Sequence, residues 1–302
     1  MSKKISEELK TISGITVTPF DGETGEIDWQ GVEENVEFLI ENGLKVIVPC
    51  GNTSEFYALT IEEAMEETKR TVEIARGRCL VVAGIGYSVG TAIEMGQKAK
   101  ADGADAIMIH MPVHPYITSE GAKDYFEKII RAVDLPAVIY FKNPSVSDDI
   151  LVELADLEQL VGVKYAINDL PRFAKALESI PQDAGVTMIC GTAEKWAPFY
   201  YSAGAEGFTS GLVNVHPKKS FELLDALQQQ DYSTAFGIWH EIVEFEDLRE
   251  KYSSGNNVVV IKEAMEILNM TAGPPRPPVA PLNDADREAV SQLLSRWALK
   301  SY

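Results

Sequence analysis

Eight short runs of β-branched and apolar residues, set at near-regular intervals, constrain this chain more than any other feature. The runs are Gly14–Thr18, Val46–Pro49, Leu80–Ala83, Ala106–His110, Ala137–Tyr140, Val161–Lys164, Val186–Cys190 and Gly207–Ser210. Unbroken apolar runs are the mark of strands buried on both faces, and such strands belong to parallel sheets. A parallel neighbour is reached only through a crossover of about a dozen residues or more, usually a helix. The intervals here are long enough for one each time. Strand–helix alternation predicts an α/β fold, and eight such units with little left over predict a closed (β/α)8 TIM barrel. An open doubly wound sheet is the alternative. No G-x-G-x-x-G follows the first run to favour it as a dinucleotide site.

The intervening segments carry helical signals. Residues 31–42 place Val32, Val36, Leu39 and Ile40 on one face, with Gly43 where a C-terminal cap belongs. Thr60 and Glu63 have capping-box spacing ahead of a long helix. After Ser210 the pattern changes. Helices are expected near 218–230, 232–252 and 256–269, then a proline-rich connector from Gly273 to Pro281 and a last helix near 284–299. We read 1–215 as the catalytic barrel and 216–302 as a C-terminal helical extension packed on it in the same structural unit.

Composition narrows the function classes. A net charge of −19 over 302 residues argues against nucleic acid as a partner, because nucleic-acid binders present basic faces. It also means that any anion site must be built locally, from hydroxyls, backbone N–H groups and a lysine. No stretch has the roughly 18 consecutive apolar residues that a membrane span requires, and the charged segment 1–10 lacks the apolar core of a secretory signal. Cys50, Cys79 and Cys190 are isolated, as reduced thiols of a cytoplasmic protein would be. The four histidines lack metal-ligand spacing with nearby carboxylates, so no metal site is expected. No serine sits in a G-x-S-x-G elbow.

In a parallel barrel, chemistry collects at the C-terminal ends of the strands. Gly51-Asn52-Thr53-Ser54-Glu55 follows the second run. A glycine-led turn with hydroxyls and free N–H groups can hold a carboxylate, or be an ordinary polar turn. Tyr140 closes the fifth run, where a phenol can pass protons or simply be a core aromatic. Lys164 closes the sixth, after Leu160-Val161-Gly162-Val163. A buried lysine is unusual. Desolvation lowers its pKa, and a neutral amine is the nucleophile of Schiff-base chemistry; a structural ion pair is the plain alternative. Gly191 and Thr209, after the seventh run and within the eighth, complete the set that can line the mouth.

Taken in this order, the turn after strand two, Tyr140 and Lys164 resemble the dihydrodipicolinate synthase and N-acetylneuraminate lyase family over about residues 10 to 300. The resemblance implies a class I lyase: an aldolase or dehydratase with no metal or organic cofactor, assembled as a homotetramer or dimer. It implies that Lys164 attacks the keto carbon of pyruvate or a larger 2-oxo acid and that Tyr140 shuttles protons. Thr53, with the backbone N–H groups around it and Gly51 shaping the turn, would hold the substrate carboxylate. Asn52 stands at the family's first Thr or Ser position, where a hydroxyl commonly joins a relay with the Tyr.

The departures bear on substrate choice. An amide at Asn52 is a poor proton carrier. Ser54 replaces the usual Gly. His114 lies where the synthases send a Tyr across a subunit interface, so it is a candidate relay residue or a simple loop residue. The synthases follow their Tyr with an Asn, a Pro and an Arg that grips the second substrate. Here the segment reads Phe141-Lys142-Asn143-Pro144-Ser145-Val146. Lys142 can supply charge but not a bidentate fork. The expectation is therefore cleavage or dehydration, favouring a 2-keto-3-deoxy sugar acid. The synthase reaction itself and a non-catalytic 2-oxo-acid-binding protein on the same scaffold are the alternatives, with a metal-dependent aldolase behind them.

Overall fold

The computed structural model describes residues 2–299. Eight parallel strands close into one barrel in simple sequence order: β1 Ile12–Ile15, β2 Val46–Val48, β3 Leu80–Ile85, β4 Ala106–Ile109, β5 Ala137–Phe141, β6 Leu160–Tyr165, β7 Thr187–Cys190 and β8 Gly207–Ser210. β8 pairs back onto β1, so no edge is left open. The expected TIM barrel is the observed fold, with helices between the strands and more helices after them. No helix among the described residues is long and apolar enough to cross a membrane.

Alternation along each strand divides the core in two. Val46, Val48, Val82, Met108, Val138 and Ile189 fill the barrel interior. Ile47, Ile107, Ile139, Val163 and Tyr165 face outward into the helical ring. The short helix Ser2–Glu8 closes the bottom, where Ile5 and Leu9 join the interior cluster and Ser6 meets Thr187 on β7 at 2.8 Å.

The helix signals hold locally. Trp29–Glu41 is capped by Asp28, and Gly43 has φ 89° just past its end. Thr60 and Glu63 form the reciprocal box at the start of Ile61–Ala75, with bonds of 3.1 and 2.9 Å. One strand is offset. The run Gly14–Thr18 was expected to pair throughout, yet β1 starts at Ile12 and ends at Ile15. Thr16 still donates its N–H to the Val48 carbonyl at 3.3 Å, and past β1 the hydroxyls bond buried groups: Thr16 Oγ1 meets Ser54 Oγ at 3.1 Å, and Thr18 Oγ1 lies 2.9 Å from Glu67 Oε2. β-propensity marks Thr as strand-like without registering such a partner.

Beyond β8, the helix Pro217–Gln228 packs beside β1 and the helix Ala193–Ser202, as the eighth of the ring would. The chain then runs through the helices Tyr232–Ser254, Val259–Ile267 and Asp284–Trp297. The helix Val259–Ile267 carries Lys262, whose ammonium pairs with Glu55 at 2.7 Å; the two side chains are 3 % and 1 % exposed. A buried pair whose partner is removed leaves an uncompensated charge. Lys262→Met is therefore expected to lower unfolding free energy by about 3–5 kcal/mol, read by urea denaturation. A loss below about 1 kcal/mol, typical of exposed pairs, would contradict the buried character of the contact.

Candidate active site

Register places the two central side chains. β5 and β6 pair Tyr140 directly with Lys164, and both are buried. Each sits one residue before its strand's end, and the neighbours Phe141, Val163 and Tyr165 belong to the outer core. Alternation thus turns Tyr140 and Lys164 inward at the mouth. Lys164 Nζ lies 4.2 Å from the centroid of the Tyr140 ring. No carboxylate pairs with it among the described residues.

That environment sets its acidity. Burial, aided by the like charge of Lys142, brings Lys164 down from 10.5 to about 7. Burial acts oppositely on Tyr140 and, with Tyr57 nearby, pushes its hydroxyl well above the ordinary phenol range. Near neutral pH the amine is thus substantially uncharged, while the phenol keeps its proton.

The turn after β2 closes the other side. Asn52 Nδ2 donates to the Tyr140 hydroxyl oxygen at 3.0 Å, which leaves the phenolic proton free to point into the cavity. Asn52 and Thr53 line the same cavity as Tyr140 and Lys164. Gly51 does not line it. Its role is to shape the turn: its carbonyl accepts from Ser54 N and Phe56 N, and its N–H donates to Ser54 Oγ. Ser54 is fully buried and also donates to the Thr16 carbonyl at 2.7 Å. The serine that replaces the expected glycine is thus an internal tie.

The cavity, of about 320 Å³, also takes in Lys142, Gly191, Thr192 and Thr209. A Cβ on Gly191 would come within 2.8 Å of the Tyr165 carbonyl and 3.0 Å of Lys164 Cγ, so the glycine leaves room for the lysine's stem. Lys142 sits at the rim, its ammonium 5.5 Å from the Tyr140 ring and 5.8 Å from that of Tyr57. His114 is not brought in: it is exposed on the loop after β4, bonded to its neighbour Tyr116. His110 closes the wall behind. It stacks flat on Phe56 at 4.3 Å and donates from Nε2 to the Cys50 carbonyl. Burial drives it down to about 3, so it stays neutral.

Sequence reasoning missed the residues that the far end of the chain supplies. Glu246, Arg249, Glu250, Ser254 and Asn257 line the mouth. Arg249 is buried; its Nη1 donates to both carboxylate oxygens of Glu246 at 2.9 and 2.8 Å, and its Nη2 donates to Asn257 Oδ1 at 2.7 Å. The following backbone is strained: Tyr252, Ser253 and Ser254 all have positive φ, at a cost of roughly 1–2 kcal/mol per residue for left-handed backbone. Asp286 offsets this by accepting from Lys251 and from Asn256. One signal was available: Glu246 and Arg249 stand three apart on the helix face that carries Ile242 and Phe245. Behind β8, Glu194 is fully buried, accepts from Ser210 and Ser220, and is raised to about 7 by burial and by Glu246.

A closed parallel barrel with a buried, unpaired lysine beside a tyrosine at its mouth is an enzyme scaffold of the lyase type. The family model of the dihydrodipicolinate synthetase family matches residues 8–297, and the chain belongs to that family, whose members are lyases. It is 30 % identical over 287 residues to the 4-hydroxy-tetrahydrodipicolinate synthase of Methanospirillum hungatei, covering 93 % of this chain and 97 % of that one. A similar protein from Geobacter metallireducens with the same name is also 30 % identical, covering 94 % and 97 %. Among solved structures, the dihydrodipicolinate synthase from Bacillus clausii superposes with a TM-score of 0.97 at 59 % identity, covering 98 % of this chain and 100 % of that one. That from Oceanobacillus iheyensis gives 0.97 at 56 %, covering 98 % and 99 %.

The lysine's position predicts a pH profile. Only the neutral amine attacks a carbonyl, so the rate of borohydride-trapped adduct formation with pyruvate should rise with pH through about 7 and level off above it. Lys142→Met removes a like charge and should move the inflection upward. An inflection near the unperturbed 10.5 in the parent protein would contradict the buried environment.

Proposed function

We propose that this lyase forms a Schiff base between Lys164 and the keto carbon of a 2-oxo acid. The observation that carries the reading is the buried Lys164, in register with Tyr140 and without a counter-ion among the described residues. The neutral amine adds to C2 to give a carbinolamine. Tyr140 relays one proton from nitrogen to oxygen within the carbinolamine and then gives its own to the departing hydroxyl, so water leaves and the iminium forms beside the Tyr140 phenolate. The Gly51–Thr53 turn holds the carboxylate through backbone N–H groups and the Thr53 hydroxyl. The iminium is an electron sink. A bond to C3, to hydrogen or to carbon, can break with its electron pair drawn into an enamine, and a hydroxyl one carbon further on can leave as water.

The favoured substrate is a 2-keto-3-deoxy sugar acid, cleaved or dehydrated. The absence of an arginine from 141–146 supports this, as do the hydroxyl and amide groups of Thr192, Ser254 and Asn257 around a cavity larger than pyruvate needs. The names of the relatives support a second reading, the synthase reaction itself. Assembly as a homotetramer or dimer is part of the proposal. Val113 and Tyr116, 59 % and 86 % exposed beside His114, would then be covered, and only across such an interface would His114 reach a relay.

Incubation with pyruvate and borohydride, followed by intact mass and peptide mapping, should place a reduced pyruvyl group on Lys164. Lys164→Ala should lose both adduct and turnover. Tyr140→Phe should slow adduct formation by roughly 10²- to 10⁴-fold. Full turnover in Lys164→Ala would remove the mechanism. Adduct formation without turnover of any 2-oxo acid would leave a binding protein.

A further inference from the structure

Lys142 is a cation with aromatic rings beside it and no counter-charge among the described residues. It stands just beyond β5, at the rim of the cavity that holds Lys164, and no carboxylate pairs with it among the described residues. The other cations around the mouth are accounted for. Arg249 donates from Nη1 to both carboxylate oxygens of Glu246, and Lys164 is the nucleophile of the proposed reaction. Two lysines close enough to repel each other, in a chain of net charge −19, form an arrangement that lacks an anion. Tyr57 and Tyr140 flank the Lys142 ammonium, and partial burial already weakens its hold on its proton.

From this geometry we infer that the substrate is a 2-oxo diacid, whose far carboxylate is held by Lys142. The inference rests on the Schiff-base reading, in which the near carboxylate occupies the uncharged turn at Gly51–Thr53 and leaves Lys142 for a second anion. Reach fits. Lys164 Nζ and Lys142 Nζ lie 4.2 and 5.5 Å from the same ring centroid, so they are under about 10 Å apart. An extended carbon chain advances about 1.2 Å per bond, and an ammonium–carboxylate hydrogen bond spans about 2.8 Å. A five- or six-carbon chain anchored at C2 on Lys164 therefore places its last carboxylate within reach. A single ammonium gives charge without a fork, which suits a monoanionic carboxylate on a flexible chain. Thr192, Ser254 and Asn257 line the same cavity and can bond hydroxyls on the carbons between.

The test compares substrates that differ only at the far end: 2-oxoglutarate with 2-oxopentanoate, and 2-oxoadipate with 2-oxohexanoate. The readout is the concentration giving half-maximal borohydride trapping on Lys164. The parent protein should favour the diacid of at least one pair by about tenfold, the worth of one charge-assisted hydrogen bond. Lys142→Met should bring that preference close to none, and Lys142→Arg should keep most of it. Equal trapping of diacid and monoacid in the parent protein would overturn the inference, as would a preference that survives in Lys142→Met. Pyruvate run alongside separates Schiff-base formation from recognition of the far carboxylate. A pyruvyl adduct on Lys164 without diacid preference removes only the inference about Lys142. No adduct with any 2-oxo acid removes the Schiff-base reading and this inference together.

Discussion

The pairing of Tyr140 with Lys164 across β5 and β6 is the contact on which the site depends. A barrel interior is a poor place for an ammonium, because burial disfavours the charged form. Placing the lysine one residue before the strand end, without a carboxylate, leaves neutralisation as the available response. Tyr140 beside it is pushed the other way by the same burial. One environment thus yields an amine that can attack and a phenol that still holds its proton, a division of roles set by desolvation.

The rest of the mouth is held in place by the far end of the chain. The turn that faces the lysine contains Glu55 in a left-handed conformation. It is tied down by Lys262 and by the backbone N–H of Arg276, which bonds Glu55 Oε2 at 2.9 Å. Ser54 fastens the same turn to Thr16. Arg249 and Asp286 fix the strained backbone that brings Ser254 and Asn257 to the opposite rim. The helices after β8 therefore line the candidate site as well as packing on the barrel.

What could be read from the chain follows from what each signal measures. Apolar runs report burial on two faces, so the eight strands and their parallel order were legible. Their ends were less so: β1 runs Ile12–Ile15, and the polar partners of Thr16 and Thr18 past its end are contacts that periodicity does not encode. Lys164 and Tyr140 were legible because a polar residue closing an apolar run is conspicuous. Arg249 was not, because Lys164 and Gly211, which share the cavity with it, lie on β6 and just past β8, far away in sequence. His114 fell outside the cavity because the loop after β4 runs outward over the surface. Lys142 was legible as a charge. That it lacks a carboxylate partner emerged only from the packing around it.

A crystal structure of the protein soaked in pyruvate and reduced with borohydride tests the central claim most directly. The expected result is continuous density from Lys164 Nζ to C2, the carboxylate against the Gly51–Thr53 turn, and the Tyr140 hydroxyl within hydrogen-bond distance of the reacting carbon's substituents. Pyruvate bound without a covalent link, or a carboxylate seated on Arg249 instead of the turn, would contradict it.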